Sequence, residues 1–110
     1  MVVYRSSNTF GAFLRPTVTL NGKDLVNIGN GRVFVGTLRP GHHVFEMDDK
    51  KSGTEVDLKA GQSVYLKVEI VPGIWKGGGK LTQVAPEQGQ FEAKRLELIP
   101  VKEIEDASQR

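Results

Sequence analysis

The glycine-rich segment Gly73–Lys80 is the part of this sequence whose residue types come nearest to a phosphate-binding motif. It reads Gly-Ile-Trp-Lys-Gly-Gly-Gly-Lys. A P-loop needs four residues between its first glycine and its Gly-Lys pair, followed by Ser or Thr, so that main-chain N–H groups and the lysine surround the phosphates. Here five residues separate Gly73 from Gly79, and Leu81 follows the lysine. The spacing therefore argues against nucleotide binding.

The same segment carries the only tryptophan of the chain, Trp75, together with Lys76 and Lys80. No acidic residue occurs from Val71 to Ala85. An aromatic ring beside cations suits contact with a protein, a glycan or an anionic surface, because aromatic and basic side chains carry much of the energy of such contacts. The alternative is that Trp75 folds back over one end of the core. Trp75, Lys76 and Lys80 are the candidate binding residues.

The histidines and the nucleophilic residues give no pattern typical of a metal site or an active site. His42 and His43 are adjacent, and neighbouring side chains of a strand point to opposite faces. One ion could not easily use both, and no third ligand has useful spacing. No serine lies in a nucleophile elbow, and no two carboxylates share the apolar setting that acid–base catalysis uses. We therefore expect no metal, no cofactor, no catalytic residue and no enzymatic activity.

Turn sequences at nearly even spacing divide the chain into short segments rich in β-forming residues. Asn-Gly tolerates the positive φ angles of tight hairpins, and Pro-Gly suits a type II turn. A reversal about every ten residues is typical of a small all-β domain. The turn dipeptides are Asn21-Gly22, Asn30-Gly31, Pro40-Gly41, Ser52-Gly53 and Ala60-Gly61.

The segments between the turns predict the strands. Ser63–Ile70 is the clearest, because apolar and polar residues alternate over its whole length. We expect its apolar residues Val64, Leu66, Val68 and Ile70 to face the core, and Tyr65, Lys67 and Glu69 to face outward or towards a partner. Pro86–Gln90 predicts a turn or a short helix. The other predicted strands are Val2–Arg5, Ala12–Leu20, Leu25–Ile28, Arg32–Leu38, His43–Met47, Glu55–Leu58, Lys80–Val84 and Ala93–Ile99.

Length and composition are those of one ordinary globular domain. The chain has 110 residues, of which 38% are hydrophobic and 25% charged, so we expect a single domain over residues 1–100 and a polar tail over residues 101–110. The net charge of +2 is too small for a nucleic-acid-binding footprint. No run approaches the roughly 20 apolar residues of a membrane span. With no cysteine, the chain forms no disulfide.

Four segments in a fixed order resemble a family of bacterial envelope proteins. They are Val3–Arg5, Pro16–Lys23, Gly36–Phe45 and Leu58–Val68. Together they resemble the bacterial envelope and lipoprotein domain of unknown function 2846, and they are similar to PEGA-type β modules. The resemblance covers Val2–Ile99. It implies an envelope protein that follows a secretion or lipoprotein leader, and it supplies no catalytic residues to transfer.

The sequence thus predicts an all-β antiparallel sandwich, immunoglobulin-like or transthyretin-like, with about seven to nine strands. The expected function is a non-enzymatic binding or structural module of the bacterial cell envelope, which uses a sheet edge or the Gly73–Gly79 loop. Its partner would be another envelope protein or a glycan, and homo-oligomerisation stays open. The alternative is a sandwich that binds carbohydrate or another small ligand through Trp75. The resemblance implies the periplasm or an outer-membrane anchor in the full-length protein. This chain shows no leader, which leaves the cytoplasm open.

Overall fold

A computed structural model of the chain describes residues 1–9, 11–47, 52–70 and 79–99. Within these residues the chain forms nine β-strands and one short α-helix. In chain order they are β1 (Val2–Arg5), β2 (Thr17–Leu20), β3 (Lys23–Asn27), β4 (Arg32–Val35), β5 (Gly41–Met47), β6 (Gly53–Leu58), β7 (Tyr65–Glu69), β8 (Lys80–Val84), α1 (Pro86–Ala93) and β9 (Glu97–Leu98).

The strands form two sheets that enclose one hydrophobic core. The five-stranded sheet has the order β8-β7-β1-β4-β9, and the four-stranded sheet has the order β3-β2-β5-β6. All neighbouring strands run antiparallel except β1 beside β7 and β4 beside β9, which are parallel. The prediction of an all-β, sandwich-like fold is confirmed. The core draws on both sheets and includes Val3, Val18, Leu20, Leu25, Phe34, Phe45, Met47, Val56, Leu66, Val68 and Leu81.

The predicted hairpin at Asn21-Gly22 is present and joins β2 to β3. Asn21 has φ 51° and Gly22 has φ 85°. These are the positive angles that a two-residue hairpin turn requires, and asparagine and glycine adopt them at least cost. The turn therefore forms where local residue chemistry predicted it.

The predicted alternation along β7 is confirmed. Val64, Leu66, Val68 and Ile70 are all buried, with Leu66 fully inaccessible to solvent. Glu69, on the other face, is exposed. Because side chains of a strand alternate between faces, one run of sequence was enough to predict which side of β7 meets the core.

Strand β4 is shorter than predicted, and the residue that it buries deepest is Phe34. The strand ends at Val35 instead of Leu38. Phe34 pairs with Val3 of β1 and joins the core. Val33 and Val35 share the opposite face, on which Val35 is 55% exposed. Three apolar residues in a row hide which face is buried, because either alternation then looks plausible.

The predicted strand Ala93–Ile99 is wrong over most of its length. Helix α1 extends through Ala93, and β9 comprises only two residues. Pro86 supplies a φ angle suited to the first turn of a helix, and the following residues are mostly good helix formers. Leu98 is 61% exposed, whereas Ile99 is buried in the core.

Helix α1 lies on the outer face of the five-stranded sheet, over β7 and β1. A Cβ atom on Gly89 would stand 2.6 Å from the Cβ of Tyr65 and nearer still to its ring. Glycine inside a helix costs about 1 kcal/mol relative to alanine. At this position its missing side chain allows the helix to approach the sheet closely.

Three expectations lie outside the described residues. The tail over residues 101–110 and the candidate binding residues Trp75 and Lys76 belong to the parts of the chain that the structure does not describe. The single-domain boundary at residue 100 stays a prediction for the same reason.

Candidate functional site

The most distinctive surface of the described chain lies at the end of the sandwich where β1 finishes and β4 begins. Three cavities are lined by residues at this end, and the first two share lining residues. The first, of about 200 Å³, is lined by Ser6–Asn8 and by residues of β7. The second, of about 320 Å³, shares Ser6 and Ser7 and is bordered by Phe91 and Arg95. The third, of about 270 Å³, lies beside Phe13.

Ser7, which lines the second cavity, contacts Gly31, whose two chain neighbours line the third cavity. A Cβ on Gly31 would stand 2.5 Å from the Ser7 hydroxyl oxygen. The neighbouring residue, Asn30, lines the third cavity and accepts a hydrogen bond of 2.9 Å from the main-chain N–H of Asn8. Phe91 and Phe13 therefore line separate cavities, and the contact between Ser7 and Gly31 links residues that border the two.

A buried arginine fixes the loop that carries Phe13. The Arg5 side chain is 2% exposed and donates from Nη2 to the Gly11 carbonyl and from Nη1 to the Leu14 carbonyl, both at 2.6 Å. Nη1 also lies 3.3 Å from the Ile28 carbonyl. These are charge-assisted hydrogen bonds, which are stronger than neutral ones. Among the described residues, no carboxylate pairs with Arg5, and burial lowers the pKa of its guanidinium.

Phe13 projects from this loop into solvent. Arg5 holds the carbonyls of Gly11 and Leu14, and the two residues between them form the outward turn. The Phe13 side chain is 86% exposed. Phe13 lines the third cavity together with Arg15 and Arg32. Leaving a phenylalanine in water forgoes about 1.5–3 kcal/mol of burial energy, so an outward ring on a loop held by buried hydrogen bonds suggests a role in binding.

Phe91 is the second exposed aromatic ring, and two cations lie against it. Lys94 Nζ is 5.2 Å from the ring centroid, and the guanidinium carbon of Arg95 is 5.5 Å from it. The three residues have the i, i+3 and i+4 spacing that brings side chains together on one face of a helix. The ring is 58% exposed.

A hydrogen-bonded cluster beneath α1 holds the segment that carries Phe91. Glu92 accepts a hydrogen bond of 2.5 Å from the Tyr4 hydroxyl and forms an ion pair of 3.2 Å with Lys67. Burial, and then the hydrogen bond to Glu92, raise the pKa of Tyr4. The hydrogen bond from Tyr4 is the largest cause that lowers the pKa of Glu92. The carboxylate is therefore ionised and bound on the sheet side of the helix.

Basic side chains accumulate around the two rings. We call Phe13, Arg15, Arg32, Phe91, Lys94 and Arg95 the Phe13–Phe91 surface. Its acidic neighbours are Glu97, which is 3.4 Å from Arg32, and Glu92, which lines the second cavity and pairs with Lys67. The described residues hold ten basic and eight acidic side chains. The four cations of the surface, together with Lys67, exceed these two carboxylates by three, which leaves five basic and six acidic side chains on the other described residues.

Of the three sequence-predicted site residues, the structure describes only Lys80. Trp75 and Lys76 lie outside the described residues. Lys80 is the first residue of β8, is exposed and pairs in register with Glu69 of β7. The structure therefore describes one of the three predicted binding residues and does not bring it together with Phe13 or Phe91.

The adjacent histidines point to opposite faces, as predicted. His42 is exposed and lies between two carboxylates of β6, with Nδ1 2.6 Å from Asp57 and Nε2 2.8 Å from Glu55. His43 is 7% exposed. Within the described residues, no group of three or more histidine, cysteine or acidic side chains is arranged to hold a metal ion.

Sequence reasoning missed Phe13, Phe91 and Arg5. A signal existed for Phe91, because a phenylalanine followed by basic residues at i+3 and i+4 predicts a cation–aromatic cluster once the segment is known to be helical. No comparable signal marks Arg5, which follows three apolar residues in an ordinary strand sequence.

No family model, curated protein or solved structure matches this chain. No helix in the described part of the chain has the length and apolar character needed to cross a membrane.

Proposed function

We propose that the chain is a non-enzymatic binding module of the bacterial cell envelope and that it holds an anionic partner on the Phe13–Phe91 surface. The observation that carries the proposal is the pair of exposed phenylalanine rings, each beside basic side chains, on segments fixed by buried hydrogen bonds. Envelope placement is supported by the sequence resemblance to the domain of unknown function 2846. An immunoglobulin-like or transthyretin-like fold type is part of the same proposal, supported by two sheets around one core.

The sheet edges offer weaker support for partner binding. At the β8 edge, the main-chain N–H of Leu81 donates a hydrogen bond of 2.9 Å to the hydroxyl of Ser52. At the β3 edge, the register shifts between Val18 and Thr19, and Lys23 and Asp24 are exposed. Irregular register and exposed charges are features that discourage the addition of a further strand. We therefore place the partner surface at the end of the sandwich.

The alternative of neutral carbohydrate binding through Trp75 draws no support from the described residues. The exposed aromatic rings that the structure describes are phenylalanines, which carry no polar atom for a hydroxyl group. Lys94 and Arg95 also lie against one of them. This arrangement favours a partner with negative charge.

The proposal is tested by titrating the isotopically labelled chain with two anionic probes, poly-L-glutamate and phosphatidylglycerol-containing vesicles. At low salt, at least one probe should perturb the amide signals of residues 12–15, 29–32 and 91–96. The double variant Arg15→Glu/Arg95→Glu should lose that binding. The effect should weaken as salt rises, because exposed charges are screened.

The matched control is Lys23→Glu/Lys59→Glu, which makes the same change in net charge at the opposite end of the sandwich. This control should retain most of the binding. Equal losses in both double variants would show that only net charge matters. That result, or the absence of binding by both probes, would overturn the proposal.

A further inference from the structure

The two exposed phenylalanines give the anionic partner a more specific chemistry than charge alone. We propose that the Phe13–Phe91 surface binds the surface of an anionic phospholipid bilayer, with both rings entering the headgroup region and the basic side chains contacting lipid phosphates. The inference rests on the proposed function and specifies its partner.

The rings suit the boundary between headgroups and acyl chains. Phe13 is 86% exposed and Phe91 58% exposed, and neither ring can form a hydrogen bond with water. Peripheral proteins bury such apolar side chains a few ångströms below the lipid phosphates, and their affinity grows with the apolar area that is buried. The rings would leave water without needing a shaped pocket in the partner.

The cations lie where lipid phosphates would meet the rings. Lys94 and Arg95 lie 5.2 and 5.5 Å from the centroid of Phe91, and Arg15 and Arg32 line the cavity beside Phe13. Long basic side chains can lie along apolar groups while their charged ends reach the polar layer. Basic residues at a membrane surface add electrostatic attraction to anionic lipids.

Both rings are held in place before binding. The Arg5 hydrogen bonds fix the carbonyls on either side of the Phe13 turn, and Glu92 ties the Phe91 segment to Tyr4 and Lys67. A binding group that is already ordered loses less conformational entropy when it binds.

The separation of the rings favours a bilayer over an acidic protein. Phe91 and Phe13 line two different cavities that share no lining residue. The energetic centre of a protein interface is usually one compact cluster of anchors inside matched pockets. A lipid surface accommodates two separate protrusions, because its headgroups rearrange around each.

Vesicle binding by Phe13→Ser and Phe91→Ser tests the inference. With vesicles of phosphatidylglycerol and phosphatidylcholine, each substitution should weaken binding about tenfold, as the loss of one buried aromatic ring requires. Vesicles of phosphatidylcholine alone should bind the native chain far more weakly. Thermal denaturation of each variant should match that of the native chain.

Depth of insertion provides a second, independent readout. Phe13→Trp and Phe91→Trp are each made in a Trp75→Phe background. Each variant then contains a single tryptophan, whose fluorescence reports on the environment of that position. Anionic vesicles should shift the emission to shorter wavelength, and lipids brominated near the headgroup end of the acyl chain should quench it.

Native-like vesicle binding by both serine variants, or indoles that brominated lipids leave unquenched, would refute membrane binding. Binding to poly-L-glutamate that Arg15→Glu/Arg95→Glu abolishes would in that case still support the proposed anionic-partner function. The two proposals therefore fail separately.

Discussion

The two ends of the sandwich differ in which residues they expose. One end buries or pairs its polar side chains, whereas the other exposes aromatic rings beside cations. At the end formed by the β2–β3 turn, which we call the hairpin end, His43 is buried with both ring nitrogens bonded: Nε2 donates to the Arg39 carbonyl at 2.7 Å, and Nδ1 lies 3.1 Å from Asn21 Nδ2. His42 lies between Glu55 and Asp57. At the other end, the buried Arg5 holds a loop that points Phe13 into water.

The difference shows what buried polar groups do at each end. At the hairpin end they complete the turns, and the charged residues near them pair with one another. At the Phe13–Phe91 surface, buried hydrogen bonds hold two aromatic rings and several cations in an exposed position. The first arrangement is sufficient for folding, whereas the second forgoes burial energy that folding would otherwise gain. This contrast supports the proposal that the partner binds at the second end.

The largest expected effect is on the free energy of unfolding, when a buried phenylalanine is truncated and compared with an exposed one. Phe45 is fully buried, so Phe45→Ala should lower the free energy of unfolding by about 3–5 kcal/mol through lost transfer energy and a cavity. Phe13→Ala should change it by no more than about 0.5 kcal/mol. Urea denaturation measures both. Comparable losses at the two positions would mean that Phe13 packs against the protein, which would remove the contrast.

Next in size is the effect of removing the buried guanidinium. Arg5→Met leaves the carbonyls of Gly11, Leu14 and Ile28 without their donor, and we expect a loss of about 3–5 kcal/mol in the free energy of unfolding. Arg15→Met, an exposed arginine on the same surface, is the matched control and should stay within about 0.5 kcal/mol. If both variants have the same urea midpoint of unfolding as the native chain, Arg5 does not hold the Phe13 loop.

A smaller effect is expected at the contact between α1 and the sheet. Gly89→Ala improves helix propensity but drives a methyl group into the Tyr65 side chain. We expect a net loss of about 1–3 kcal/mol in the free energy of unfolding. Gln90→Ala, an exposed helix position, should be nearly neutral. In a Tyr65→Gly background, which removes the Cβ and ring atoms that the methyl group meets, Gly89→Ala should cost much less. An undiminished cost in that background would point to a cause other than this contact.

The smallest effect concerns pH at the hairpin end. Hydrogen bonds to Asp57 and then Glu55 raise the pKa of His42 above its ordinary value of 6.5. The stability from these ion pairs is fully present below pH 6.5 and is lost as pH rises through the higher folded-state pKa. The imidazole titration followed by NMR should move back toward 6.5 in Glu55→Gln/Asp57→Asn. An unchanged titration in that variant would contradict the pairing.

Much of the fold could be predicted from the sequence because local chemistry decided it. The Asn21-Gly22 turn requires positive φ, and the alternation of β7 marks its buried face without reference to any other segment. The predictions that failed concern segments whose structure depends on contacts with residues far away in the sequence. The predicted strand Ala93–Ile99 is reduced to Glu97–Leu98, and the approach of α1 to the sheet relies on a glycine that meets Tyr65 from β7.

The candidate surface was less predictable than the fold. Exposure of Phe13 follows from hydrogen bonds between Arg5 and two carbonyls of a later loop, and no local pattern encodes that contact. The local charge is similarly hidden, because the cations come from a loop, from β4 and from the segment that follows α1. The small net charge of the chain conceals their proximity.

Hydrogen–deuterium exchange of the native chain, with and without vesicles containing phosphatidylglycerol, tests membrane binding by the Phe13–Phe91 surface without any substitution. We expect vesicles to slow exchange in residues 12–15 and 91–96 and to leave the hairpin end and the β3 edge unchanged. Slower exchange confined to the hairpin end or to a sheet edge would contradict this expectation, as would exchange that anionic vesicles do not alter at any position.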